Sequence, residues 1–209
     1  MKKTILSMLF LVTEIGCFAQ KSGVIISVTD GHLGKYSGYS YYLSTGTANG
    51  TIYPETRWTP GIGFNFGYQF GFKLSNRFWM DASILGKVVQ GKAESFDFNG
   101  NDVVPWSDKA WIWGLALNGA INYRICSGLY AGIGIEPTGY FKTNKLKENL
   151  KGQVFDFPVV LTLGYEFNNG MKLSASYKHG FKPLYDNAFA SNTKNNKEFG
   201  MSLYVPMFK

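Results

Sequence analysis

The chain has little with which to staple itself together. Its 209 residues include only two cysteines, Cys17 and Cys126. Cys17 falls in a segment expected to be removed, so no intramolecular disulfide can form and backbone pairing and packing must hold the fold. Long apolar runs are missing too. Beyond the first twenty residues nothing approaches the roughly 20 consecutive apolar residues of a transmembrane helix, which excludes a helical membrane protein and nothing more, because barrel strands alternate. Histidine is limited to His32 and His179, no cluster has metal-ligand spacing, and no glycine-rich phosphate motif precedes a helix. Neither a metal nor a cofactor is expected.

The first segment, "MKKTILSMLFLVTEIGCFAQ", has a basic start at Lys2 and Lys3, an apolar run over residues 5–12 and a small residue, Ala19, at a cleavage point. It reads as a signal peptide spanning residues 1–19, with an exported domain over residues 20–209. The alternative, lipidation of Cys17 in "IGC", is weakened by Glu14, which stands where a lipoprotein box wants an aliphatic residue. The net charge of +7 becomes +6 on processing, because the segment carries two lysines and one glutamate. The length and the 45% hydrophobic content suit one domain.

What the chain does have is alternation. In "PGIGFNFGYQFGFKLSN" every second residue from Ile62 to Leu74 is large and apolar, and the residues between are glycine, Asn65, Gln69 and Lys73. Strands with two such faces are expected near residues 24–29, 62–74, 77–88, 111–124, 129–136, 155–167, 171–178 and 198–207. Trp79 and Leu85 are exceptions on a polar face. Short turns at Ser75-Asn76, around Cys126 and at "NNG" alternate with long connections over residues 30–59, 93–108, 143–152 and 183–196. That rhythm predicts an all-β, eight-stranded antiparallel up-and-down barrel with both chain ends on the short-turn side.

Volume decides which face is inside. An eight-stranded interior holds little more than its own side chains, and it cannot take Phe64, Phe66, Tyr68, Phe70, Phe72, Trp111, Trp113, Phe155, Phe157 and their equivalents. The glycine-rich polar face suits the lumen and the aromatic face suits lipid, so a transmembrane barrel is expected, with girdles near Trp58, Trp111, Tyr123 and Phe167. The strand parity directs Asp81, Glu136, Asp156, Glu166 and Glu198 inward, together with Lys73, Arg77, Lys87, Arg124, Lys172 and Lys178. Such charges must pair or stay hydrated, which predicts a polar network filling the barrel; a thin conducting path is the other use of the same residues.

The hairpin "LGYEFNNGMKLSASYKHGF" with the last strand "FGMSLYVPMF" resembles the outer-membrane β-barrel domain proteins of Bacteroidetes, relatives of the small barrels of outer-membrane protein A and X type. The resemblance implies an outer-membrane location. It covers the last quarter of the chain best, and Lys209 follows Phe208 where that family ends on an aromatic. Lipid-modifying barrel enzymes carry a His-x-Ser pattern, and here Phe181 stands at the serine position after His179, so no enzymatic activity is expected. His32, in the first long connection near Asp30, is expected to be an exposed histidine rather than a catalytic base. Lys142, Lys145, Lys147, Lys151, Lys182, Lys194 and Lys197 gather around the third and fourth long connections, placed to meet lipopolysaccharide phosphates. The tyrosine-rich stretch "KYSGYSYYLSTGTANG" is the expected surface for an extracellular partner. Nucleic acid is not expected as a partner.

Overall fold

In a computed structural model the described residues are 21–31, 57–99, 102–141, 150–152, 155–181, 185–187 and 195–208. The segment read as a signal peptide, most of the tyrosine-rich connection, His32 and all the loop lysines except Lys151 and Lys197 lie outside them.

Twelve strands are described: β1 Lys21–Asp30, β2 Arg57–Lys73, β3 Phe78–Asn99, β4 Asp102–Arg124, β5 Leu129–Ile135, β6 Thr138–Phe141, β7 Leu150–Gly152, β8 Phe155–Asp156, β9 Val159–Glu166, β10 Lys172–His179, β11 Tyr185–Asn187 and β12 Lys197–Phe208. Ten of them make one antiparallel sheet, and the additional β3–β4 pairing closes it on itself. β7 and β11 form a separate two-stranded pair. Two barrel walls are each built from two pieces, β5 with β6 and β8 with β9. Pro137 and Pro158 sit in the two breaks, where they remove ladder donors. The breaks face each other: Glu136 N–H donates to the Pro158 carbonyl at 2.8 Å. Eight walls therefore close the barrel, with β1 paired to β12 from Ser22 to Asp30.

Residue parity sets the two faces as the alternation predicts. Phe66 (57% exposed), Trp113 (55%) and Leu163 (54%) stand outside, while Ala116 and Ile112 are buried in the lumen. An apolar belt of this kind runs around the barrel on every wall, and a soluble protein has nothing to cover it with. A bilayer does. The closed ladder leaves no strand edge within that belt, which satisfies the backbone requirement of hydrocarbon. The structure is thus an eight-stranded antiparallel transmembrane barrel.

Two local expectations change and one holds. Residues 93–108 are not a loop: β3 and β4 continue pairing to Asn99↔Asp102, so a ribbon extends past the end of β2. Trp79 and Leu85 lie on the polar face where the alternation puts them: their parity is inward, and Leu85 is buried. Phe70 keeps its outward parity yet is only 8% exposed. Its cross-strand partners are the small residues Ser22 and Ala82, and Tyr68 packs against its ring edge-on with centroids 5.1 Å apart.

Candidate functional site

The lumen holds the inward charges in two layers. Lys87 projects from the middle of β3, and Lys178 lies near the far end of β10 directly opposite Glu198 of β12. Glu136 comes from the break after β5, where Pro137 ends the ladder. These four meet in the half of the barrel nearer the long connections. Lys178 Nζ donates to Glu136 Oε2 at 2.6 Å and Lys87 Nζ to Glu136 Oε1 at 2.8 Å. Lys87 also reaches Glu198 Oε2 at 3.4 Å, and Lys178 lies 4.0 Å from the same oxygen. Asn118 and Asn196 add amide donors to Glu136 and Glu198. None of the four charged side chains is more than 7% exposed. Charges so buried persist only when paired and hydrogen-bonded, and here two cations offset two anions.

The second layer lies nearer the short turns. Lys172 Nζ is 2.9 Å from Asp81 Oδ2, and the same carboxylate accepts bonds from Trp79 Nε1 at 3.0 Å and Asn122 Nδ2 at 2.9 Å. The Lys172 ammonium also sits 5.2 Å from the ring centres of both Trp79 and Tyr204, within cation–π range. Trp79, which breaks the polar alternation in sequence, is therefore part of the ion-pair layer. Between the layers lies a cavity of about 70 Å³ walled by serines, Thr162, Asn118 and Asn122. On the outer side of the second layer a larger cavity of about 430 Å³ opens towards the short turns.

At the rim of that larger cavity, Glu166 is shared by Lys21 at 2.9 Å and Arg124 at 2.7 Å. Lys73 lines the same space and has no bonded partner among the described residues. Asp156 is buried but belongs to neither layer; its Oδ1 accepts the backbone N–H groups of Phe157 and Phe181, tying the β8–β9 break to the end of β10. Arg77 corrects the parity reading. It precedes β3, inside the short turn, is exposed, and its guanidinium donates to the outward Tyr123 hydroxyl at 3.3 Å. The inward set is thus Asp81, Lys87, Glu136, Asp156, Lys172, Lys178 and Glu198, with Lys73, Arg124 and Glu166 at the mouth. Lys21 joins them at the mouth with no alternation to mark it, since its neighbours Gln20 and Ser22 are both polar.

His179 faces outward from the last position of β10, opposite Lys197. Its ring nitrogen is 3.5 Å from the Tyr177 hydroxyl, and Phe181 packs edge-on against the ring at 5.9 Å. Among the described residues, no three His, Cys, Asp or Glu side chains are placed to hold a metal ion.

No family model and no curated protein matches the chain. A solved structure with a similar outline is that of the outer membrane protein OprG from Pseudomonas aeruginosa. The two superpose with a TM-score of 0.46 at 13% identity, over 90% of this chain and 94% of that one. The likeness is one of outline and carries nothing about function. The barrel implied by the sequence resemblance is present, whereas membership of the Bacteroidetes group receives no support.

Proposed function

We propose that the protein is an integral outer-membrane barrel, exported by its signal peptide, whose lumen is closed by the two ion-pair layers and whose role is structural or one of cell-surface interaction. The observation that carries the closed lumen is the Lys87–Glu136–Lys178–Glu198 cluster, which spans the interior with no exposed charge. Partners in this reading are the lipid and lipopolysaccharide around the belt and an extracellular ligand on the long connections. The reading has no catalytic step. Planar-bilayer recording of the purified protein tests it: the expected result is no steady conductance, and an ohmic conductance in the unaltered chain would overturn it. For catalysis, lipid A acylation compared between wild type, His179→Ala and His32→Ala is expected to be unchanged.

A second reading, a narrow pore for small solutes, is favoured by one observation: polar cavities lie on both sides of the Asp81–Lys172 contact. Conductance that rises when Asp81 and Lys172 are both replaced by serine, while Lys87 and Glu136 are intact, would favour it.

A further inference from the structure

The larger cavity has a charge imbalance that the ion-pair layers do not share. Four cations line it, Lys21, Lys73, Arg124 and Lys172, against the two carboxylates of Asp81 and Glu166. Lys172 and Asp81 neutralise each other at the floor. Glu166 gives one oxygen to Lys21 and the other to Arg124, so that trio keeps one positive charge. Lys73 adds a second and bonds to nothing described. The excess of two positive charges faces a space of about 430 Å³, within the roughly 300–1,000 Å³ typical of small-molecule sites.

Charges on an open surface would be solvated and screened. The side chains of Lys21, Lys73 and Arg124 are open to water at the mouth, but they converge on one concave space whose floor is the buried Lys172, so their fields add there. The donor types also match an oxyanion. Arg124 presents a planar fork suited to carboxylate or phosphate, and it lies 5.5 Å from the Trp79 ring centre, which limits its freedom. Lys73 is a mobile point charge that can close on the other side of the anion. A monovalent anion would leave half of the excess uncompensated.

We infer that this vestibule is a binding site for a small oxyanion carrying two negative charges, a phosphate or short dicarboxylate, entering from the short-turn side. Lys73 and the guanidinium nitrogens of Arg124 that Glu166 leaves free hold the ligand, and Lys21, by taking the other oxygen of Glu166, limits that carboxylate to a single oxygen on Arg124. The site needs the barrel closed but not conducting, so it stands whether the lumen is plugged or open.

The test uses the full mature barrel in detergent micelles. Inorganic phosphate, succinate and acetate are titrated separately by isothermal calorimetry, with tryptophan fluorescence as a second signal. The expected result is saturable binding of phosphate or succinate that weakens as salt is raised, with acetate binding far less. Lys73→Ala should weaken it about tenfold, the scale of one lost charge-assisted hydrogen bond. Lys73→Arg should restore it, and Lys73→Glu should abolish it. Because Lys73 supports no described contact, its variants should keep the gel mobility shift of a closed barrel, so lost binding is not lost folding. Repeating the titration in nanodiscs made with and without anionic phospholipid separates a free solute from a lipid headgroup: competition by lipid would assign the site to the headgroup. Absence of binding in the folded wild type, or binding indifferent to Lys73→Glu, would overturn the inference.

Discussion

Lys87 and Glu136 meet across the lumen at 2.8 Å, Nζ to Oε1, with their side chains 0% and 1% exposed. Removing one partner of such a pair leaves a buried charge uncompensated, at about 3–5 kcal/mol. The two ends are not equivalent. Without Lys87, Glu136 keeps its short contacts to Lys178; without Glu136, two lysines share only Glu198. Glu136→Ala should therefore lose more stability than Lys87→Ala. Urea unfolding in detergent checks this, and equal losses would mean that Glu198 swings in to replace Glu136.

Gly128 and Gly170 occupy corresponding positions in two short turns, with φ of +80° and +86°. An alanine is strained at either, by about 1–2 kcal/mol. At Gly128 the added Cβ would also press on the Tyr165 ring and the Glu166 carbonyl, while at Gly170 its nearest neighbour is Pro206 at 3.4 Å. Gly128→Ala should lower the unfolding midpoint more than Gly170→Ala, and the reverse order would show that the Cys126 turn relaxes freely.

Asn65 is 2% exposed, and neither of its side-chain polar atoms has a partner among the described residues. Replacing an unsatisfied buried amide with an apolar side chain of similar volume removes a desolvation cost. Asn65→Leu is expected to leave stability unchanged or raise it by about 1 kcal/mol. A clear loss in the same urea assay would place ordered water on that amide.

Cys126 is exposed in a short turn. If the short turns face the periplasm, a membrane-impermeant maleimide should label it only after the outer membrane is permeabilised. Labelling in intact cells, absent in Cys126→Ser, would invert the barrel.

The sequence pattern carried the strands and their faces because lipid outside and a narrow lumen inside impose opposite demands on alternate residues. It failed where that demand stops. In the ribbon beyond β2 the alternation is short and runs into the turn-type residues Asn99 to Asp102, so "FDFNGNDVVP" reads as a connection. Arg77 lies one residue before its strand, and parity does not extend into a turn. Pairings between neighbouring walls, such as Lys178 with Glu198, follow from hairpin register. Lys87 with Glu136, 49 residues apart, depends on the stagger of the closed barrel, which no local pattern encodes.

The seam between β1 and β12 also orders the assembly of the molecule in time. β3 and β4 are joined by two residues and can zip locally, whereas Ser22 and Phe208 are paired across the length of the chain. Contacts of such separation form late. Until they do, β1 and β12 each keep one edge of unsatisfied backbone groups that hydrocarbon penalises. Entry into the bilayer and closure of the ring are thus one cooperative event, completed only when the final strand arrives.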